Sequence, residues 1–263
     1  MKIRLFVVAL LFVCVSMPMD GNISLKVTQD TTDLKTLENF LKTAKIVKIE
    51  TDKYKGRTAP WGVTLDDGAT KRQAIFKYVH RPRPTLLPDS YHCEIAAYKV
   101  SSLLDFPIVP PVVEREIKGI QGSLQLIVEG CFPMSQQERR GLKPPEPQKF
   151  SDALEELFVF ESLVNCNREL EDIYIHESDW RVCRVDFSEA FAPEAELFAL
   201  GKITRCSKTL YNNLLKLDTN EIKSCLQSHL NEEEIEALLK RRELIIDKIN
   251  SLIQEKGEDA VLF

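Results

Sequence analysis

The sequence predicts an α+β protein with two lobes, a β-rich N-terminal lobe and a helical C-terminal lobe. Three observations support this prediction. Strand-like segments fill most of the first half, amphipathic helices fill most of the second half, and a polar, proline-bearing segment over 133–149 divides them. We therefore expect residues 22–132 to form the N-terminal lobe and residues 133–263 to form the C-terminal lobe.

In the first half, helical spacing of apolar residues predicts a helix over 33–44. A second predicted helix, 90–106, begins after a capping residue, either Asp89 or Ser90. Alternating and continuous apolar runs predict strands over 45–50, 72–79, 110–119 and 122–130. These strands supply the sheet of the N-terminal lobe.

The second half is predicted to be mainly helical. One helix covers 150–165, and a long helix, 231–255, is capped by Asn231 and carries an apolar stripe. Between them, the pattern over 173–185 predicts two short strands joined by a turn. This hairpin is expected at the junction of the lobes.

The first residues are typical of an export signal. The basic start "MKIR" leads into the apolar run "LFVVALLFVCV", and the turn-like "PMDGN" follows. A helical membrane span needs about 20 apolar residues, so this run is short for one. We expect residues 1–21 to be a signal peptide, the mature chain to be secreted or periplasmic, and no transmembrane span to remain. A lipid anchor on Cys14 and an apolar strand of the fold are the alternatives.

Composition excludes some classes of function. The formal net charge is −5, so no basic excess is available to neutralise the phosphates of a nucleic acid. The chain has 4 histidines and no CxxC pair, which gives no metal-like spacing of cysteine and histidine. Export would permit disulfides, but the spacing of the cysteines leaves their pairing open.

The stretch "NCNRELEDIYIHESDWRVCRVDFSEAF", 165–191, reads as a polar loop, a strand, a turn, a second strand, and an acidic residue followed by Phe. In this order it resembles the catalytic centre of the protein-kinase-like superfamily. The resemblance is to atypical branches, namely phosphatidylinositol 3- and 4-kinases, HipA-like kinases and secretory-pathway kinases. The block 94–129 is most similar to that of small, mostly uncharacterised bacterial members. The likeness covers roughly residues 40 to 260.

The resemblance implies that Lys77 holds nucleotide phosphates and that Glu94 pairs with Lys77. Lys77 alternates with Ile75 and Val79, so it projects from an apolar face of its strand. A buried carboxylate at Glu94 would need a cationic partner. The alternatives are an edge lysine that keeps the strand soluble and a solvated glutamate near a helix N-terminus.

The resemblance also implies ATP and Mg²⁺ as cofactors. By position, Glu129 and Gly130 match the hinge whose backbone contacts adenine. Asp186 matches the metal-binding aspartate, and Asp172 stands where relatives carry a metal-binding asparagine. Mg²⁺ prefers one or two carboxylates together with phosphate oxygens, so an aspartate at position 172 can preserve a metal site.

Asn167 and Arg168 match the catalytic Asp-Arg pair of the family, with the aspartate replaced by asparagine. An amide can orient an acceptor hydroxyl but has negligible basicity, whereas a carboxylate can also take the proton. Glu169 or Glu171 can supply a carboxylate from the same loop, though neither occupies the matching position. The site is therefore expected to hold nucleotide and metal but to be degraded for catalysis.

Three interpretations follow from the sequence. The chain is an exported ATP-dependent phosphotransferase, or a pseudokinase that binds nucleotide or a partner without turnover, or an unrelated exported α+β domain. The acceptor of the first interpretation, a protein or a small molecule, is not specified by any residue pattern. The third interpretation predicts that Lys77 and Glu94 lie apart in the folded chain.

Overall fold

A computed structural model of the chain describes residues 31–54, 57–166, 169–197 and 200–263. These residues form the two-lobed α+β fold that the sequence predicts. The strands are β1 Lys45–Glu50, β2 Trp61–Asp66, β3 Lys71–Lys77, β4 His80–Arg81, β5 Asp89–Ser90, β6 Val112–Ile117, β7 Ile120–Leu126, β8 Cys131–Pro133, β9 Ile173–His176 and β10 Val182–Arg184. The α-helices are α1 Thr31–Thr43, α2 Tyr91–Leu103, α3 Ser135–Arg139, α4 Pro147–Val164, α5 Lys208–Lys216, α6 Thr219–Leu226, α7 Glu232–Lys256 and α8 Glu258–Val261, and Leu200–Lys202 is a 3₁₀ helix.

The N-terminal lobe is built on an antiparallel sheet with the strand order β1-β2-β3-β7-β6. Helix α1 packs on one face of this sheet, where Phe40 and Leu41 meet Ala74 and Phe76 in a buried cluster. Because side chains alternate along a strand, Ile75 and Lys77 project from the opposite face. The sheet therefore turns Lys77 away from the α1 core.

Helix α2 lies on the side of the sheet opposite α1, and its apolar residues belong to the main core of the protein. The hydroxyl of Ser90 accepts a hydrogen bond from the backbone nitrogen of His92, so Ser90 is the N-cap, one of the two residues that the sequence offered. Glu94 follows in the first turn and is only 1% exposed. The helix thus delivers a carboxylate to the buried interior beneath the sheet.

A second, smaller sheet joins the lobes, with the order β10-β9-β8. Strands β9 and β10 form the predicted hairpin. Strand β8 was not predicted, and it pairs with β9 across the expected boundary between residues 132 and 133. The segment 133–149, which was predicted to divide the two halves and for which no helix was predicted, contains α3 and the first residues of α4. The prolines at 144, 145 and 147 made a helix difficult to predict here. Pro147 is nevertheless tolerated, because it is the first residue of α4.

The C-terminal lobe is helical, and α4 and α7 are its longest helices. Asn231 caps α7 as predicted, in a capping box with Glu234. On α7, the buried Arg241 donates to the carbonyls of Leu163, at 2.8 Å, and of Ala192, at 2.9 Å. Arg241 therefore connects both the end of α4 and the segment at Ala192 to α7.

Within the described ranges, no helix combines the length and the apolar character needed to cross a membrane. The cysteines of these ranges are free thiols; Cys93 is buried, and Cys183 is partly exposed. The predicted signal peptide, residues 1–21, and Cys14 lie outside the described residues.

Candidate active site

The candidate active site begins with Lys77, the last residue of β3. Its side chain is 16% exposed and reaches two carboxylates, Oε1 of Glu94 at 2.5 Å and Oδ1 of Asp186 at 2.7 Å. Burial alone would lower the pKa of Lys77, but the two carboxylates outweigh it and raise the pKa above its ordinary value. Lys77 is therefore a fixed positive charge at neutral pH.

Glu94 connects three parts of the chain. One carboxylate oxygen receives Lys77 of β3, and the other accepts a hydrogen bond from the backbone nitrogen of Phe187 at 3.0 Å. Its side chain is 2% exposed, so the ion pair compensates a charge that water cannot reach. The sequence predicted this pair, and the interpretation in which Lys77 and Glu94 lie apart is wrong.

Asp186 follows β10 and faces the junction of the lobes, with 47% of its side chain exposed. Oδ1 of Asp186 also accepts from the Ser188 hydroxyl at 3.2 Å. Burial favours the neutral acid, but Lys77 outweighs that effect and lowers the pKa of Asp186. The backbone φ of Asp186 is +64°, a left-handed conformation that aspartate tolerates better than most residues. The site thus holds an ionised carboxylate in an unusual backbone conformation.

Asp172 lies at the site because it directly precedes the first strand of the hairpin. Its carbonyl accepts from the backbone nitrogen of Val185 at 3.0 Å, which places Asp172 beside the residue that precedes Asp186. Burial raises the pKa of Asp172 to about 6, and the nearby negative charge of Asp186 acts in the same direction. The positive charge of Arg184 opposes this rise. The two aspartates are therefore brought to one end of the hairpin, as predicted.

Arg184 is a residue of the site that the sequence analysis missed. It is 1% exposed, with Nε lying 3.2 Å from Oε1 of Glu161 and Nη1 lying 3.3 Å from Oδ2 of Asp172. Its guanidinium also donates to the carbonyl of Val185 and, at 3.4 Å, to that of Asp186. The sequence pattern could have indicated a buried ion pair here. Arg184 lies two residues from Val182 in a short strand and so shares its buried face, where a charged side chain is expected only with a partner.

Comparisons with solved structures identify the fold. Hydra Fam20, solved with sugar, matches with a TM-score of 0.69 at 17% identity, over 90% of this chain and 93% of that chain. A golgi casein kinase matches with a TM-score of 0.63 at 13% identity, over 91% and 79% of the two chains. The Helicobacter pylori proinflammatory kinase CtkA matches with a TM-score of 0.50 at 13% identity, over 83% and 98%. This chain has a protein-kinase-like fold.

The protein-kinase-like fold that the sequence predicts is thereby confirmed. At identities of 13–17% the likeness does not extend to activity. Comparisons with protein-family models and with curated protein sequences found no match.

The predicted catalytic pair, Asn167 and Arg168, lies outside the described residues. The residues on both sides are described. The Cys166 thiol lies 4.0 Å from the carbonyl of Asp186, and the carbonyl of Glu169 accepts from the backbone nitrogen of Asp172 at 3.1 Å. The described residues on either side of this pair therefore contact Asp186 and Asp172.

The predicted hinge residues, Glu129 and Gly130, connect β7 to β8 and are exposed. Gly130 has a φ of +68°, which glycine adopts without strain. Its carbonyl accepts a hydrogen bond from the backbone nitrogen of Glu177 at 2.8 Å. That carbonyl is thus already engaged with the hairpin turn, and the role of both residues towards adenine stays a prediction.

Arg57, between β1 and β2, was not singled out from the sequence. It lies 2.9 Å from Oδ2 of Asp89 and also pairs with Glu189, three residues after Asp186. The loop from β1 to β2 is thereby joined to the chain that leaves the site. No local sequence pattern predicts these contacts, because the partners of Arg57 lie 32 and 132 residues away in the chain.

A cavity of about 900 Å³ lies on another part of the surface, between α1, the connection from α2 to β6, and the hairpin turn near Trp180. Its lining is mostly apolar and does not include Lys77, Glu94, Asp172 or Asp186. We place the candidate site at the charged residues rather than in this cavity, because phosphate and metal chemistry needs convergent charges.

Proposed function

We propose that the protein is an exported kinase-like phosphotransferase that uses ATP and Mg²⁺, with transfer slowed by asparagine at position 167. The observation that supports this most strongly is the contact of Lys77 with both Glu94 and Asp186. A lysine between a buried glutamate and an exposed aspartate is suited to hold anionic phosphates beside a metal site. The acceptor is a protein or a small molecule.

The residues present fit a divalent cation. Asp186 is ionised, and Asp172 lies beside it with 22% of its side chain exposed. Within the described ranges no group of three or more His, Cys, Asp or Glu side chains is arranged to hold a metal ion. Two carboxylates are a ligand set that Mg²⁺ accepts, since it keeps waters and takes phosphate oxygens as its other ligands. When bound, Mg²⁺ would neutralise charge that develops on those oxygens.

Asn167 sets the expected rate. An asparagine can hold an acceptor hydroxyl by a hydrogen bond but cannot take its proton, and general-base catalysis is worth on the order of 10²–10⁴-fold. Positioning by Lys77 and the aspartates remains. A slow enzyme is expected for that reason, and a pseudokinase that binds nucleotide without turnover is the second candidate.

Export is the part of the proposal that rests on the sequence alone. The basic and apolar start of the chain supports it. Secretory-pathway and bacterial kinases both occur among the structural neighbours, and either context is compatible with an exported chain. Expression with residues 1–21 attached, followed by sequencing of the new N-terminus of the exported protein, tests this part.

The test of function is release or transfer of the γ-phosphate from labelled ATP by the chain beginning at Asn22. We expect slow turnover by the wild type, none by Asp186→Asn, and a rise of at least 10-fold in Asn167→Asp. Glu169→Gln is the control for a substitute base in the same loop. Nucleotide binding without turnover, in the wild type and in Asn167→Asp alike, would favour the pseudokinase. Absence of nucleotide binding would overturn both candidates.

A further inference from the structure

Three of the chain's 4 histidines lie together beside the first turn of α2. His80 belongs to β4, His92 is the second residue of α2, and His229 lies in the turn between α6 and α7. The ring centroids of His80 and His92 lie 4.7 Å apart, and those of His92 and His229 lie 5.5 Å apart. His92 and His229 are 137 residues apart in the chain, so the fold alone brings them together.

The contact between His92 and His229 depends on protons. Nδ1 of His92 lies 3.3 Å from Nδ1 of His229, within hydrogen-bonding distance. A neutral imidazole carries one ring proton, so this hydrogen bond needs one Nδ1 that is protonated and one that is bare. When both Nδ1 atoms are protonated, two N–H groups and two positive charges face each other. The contact therefore persists only while one of the two nitrogens carries no proton.

The surroundings oppose positive charge on these rings. Burial lowers the pKa of His92, and the neighbouring His80 acts in the same direction, whereas the carboxylate of Glu114 opposes both. Burial also lowers the pKa of His229 to about 4, assisted by the positive charge of Lys99 and by His92. The N-terminus of α2 adds the positive end of a helix dipole. Both rings are therefore neutral at physiological pH.

Other charges next to this turn have partners of their own. Nη1 of Arg83 lies 3.8 Å from Oε1 of Glu234, near the start of α7. Asp89, which precedes the capping residue of α2, lies 2.9 Å from Nη2 of Arg57. Because each carboxylate is already paired with an arginine, these groups offer little compensation to a positive charge on His92.

We propose that the contact between His92 and His229 is an acid-sensitive connection between the lobes, made at neutral pH and released on acidification. In the unfolded chain both rings take up protons as pH falls through about 6.5. The folded chain resists this uptake, because the pKa of each ring is lowered. The stability that the pair contributes is therefore fully present above pH 6.5 and is lost as pH falls from 6.5 towards 4.

Release of the contact reaches the candidate site through α2. Glu94 lies two residues after His92, in the same first turn, and its carboxylate holds Lys77. His229 connects this turn to the helical lobe. Without that connection Glu94 loses part of its support, so acid should loosen its pair with Lys77. The inference needs no nucleotide and does not rest on the proposed function.

The experiment is thermal unfolding of the mature chain at pH 7.5 and pH 5.0, without nucleotide and with a chelator. Asparagine at position 229 keeps an amide near the place of Nδ1, suits a turn and does not titrate. We expect the fall in Tm between the two pH values to be smaller in His229→Asn than in wild type, by about 4 °C. His92→Asn removes the other ring and should also reduce the fall. The matched control is His176→Asn, which removes the fourth histidine, 3.2 Å from Asp179 on the hairpin, and should not reduce it.

Proton NMR of the imidazole signals supplies the local readout. We expect the signals of His92 and His229 to titrate below pH 6.5, and the backbone amide signals of α2 to follow them in wild type but not in His229→Asn. An equal fall in Tm in wild type and in both cluster variants would overturn the proposal. Titration of both rings at or above pH 6.5, or α2 signals that do not follow them, would also overturn it. Failure of nucleotide binding would change none of these readouts.

Discussion

The side-chain nitrogen of Lys77 lies 2.5 Å from Oε1 of Glu94, so that β3 and α2 are joined by an ion pair beneath the sheet. The contact places a permanent cation at the junction of the lobes, next to Asp186 at 2.7 Å. The ion pair requires both the sheet and the helix to be in position. We therefore expect nucleotide binding to be sensitive to substitution of either residue.

Replacing Lys77 by methionine should lower the affinity for Mg·ATP by at least 10-fold. The substitution keeps the length of the side chain and removes the only charge that it contributes, and a hydrogen bond to a charged group is worth roughly 1.5–3 kcal/mol. Calorimetric titration measures the loss. The matched control is Lys71→Met at the other end of β3, where the lysine is 69% exposed and should be indifferent to nucleotide. Equal losses in the two variants would show that Lys77 is an ordinary strand lysine.

Replacing Glu94 by glutamine should destabilise the fold by roughly 1.5–3 kcal/mol, because it removes a buried charged partner of Lys77 and weakens the hydrogen bond from Phe187. Burial raises the pKa of Glu94, so relief of the buried charge opposes this loss, but unlike Asp172 the Glu94 side chain is completely enclosed with its partner, and breaking such a pair costs more than the relief returns. Urea unfolding of the apoprotein gives the free energy. Glu243→Gln on α7 is the control, since that side chain is 60% exposed and its loss should leave the urea midpoint unchanged. A double variant, Lys77→Met with Glu94→Gln, should lose less stability than the sum of the single variants. Strict additivity would contradict the coupling.

Asp172→Asn should raise the melting temperature above pH 6, when metal is removed by a chelator. Burial raises the pKa of Asp172 from 3.8 to about 6, so the folded state binds the proton more tightly than the unfolded state. The contribution of this group to stability is thus fully present below pH 4 and is lost as pH rises through 6. The variant avoids that loss, and Tm should rise by a few degrees at pH 7.5, at about 2–4 °C per kcal/mol.

The difference in Tm between Asp172→Asn and wild type should shrink as pH falls from 7.5 to 4. A variant that melts lower than wild type at pH 7.5 would mean that the ion pair with Arg184 outweighs the burial of Asp172. The same variant should bind Mn²⁺ more weakly. Asp172 would then be a residue kept at a cost to stability, as is common at functional sites.

Patterns along the sequence predicted the lobes and the main helices, because these depend on local periodicity. The pair of Lys77 with Glu94 was implied by the resemblance to the kinase-like superfamily, together with the partner that a buried carboxylate requires. Asp172 and Asp186 were brought together by the predicted hairpin. The contacts of Arg184 with Glu161 and Asp172 were missed, since the three residues come from three segments and only the fold shows that they converge. Arg57 was missed for the same reason, because its partner Glu189 is 132 residues away.

Strand β8 shows a different limit of prediction. It has 3 residues, too few for a period of two to be visible, and it forms only by pairing with β9. The roles of Asn167 and Arg168 stay predictions, as these two residues lie outside the described ranges.

The measurement that tests the central claim most directly is calorimetric titration of Mg·ATP into the mature chain and into its Asp186→Asn variant. Asparagine keeps the shape of the side chain and tolerates the left-handed backbone, so the variant removes little besides the charge. Asp247→Asn, at an exposed position of α7, is the matched control. The account predicts Mg²⁺-dependent binding by wild type and by Asp247→Asn, weakened at least 10-fold in Asp186→Asn. No binding at millimolar nucleotide, or equal affinity in all three proteins, would contradict it.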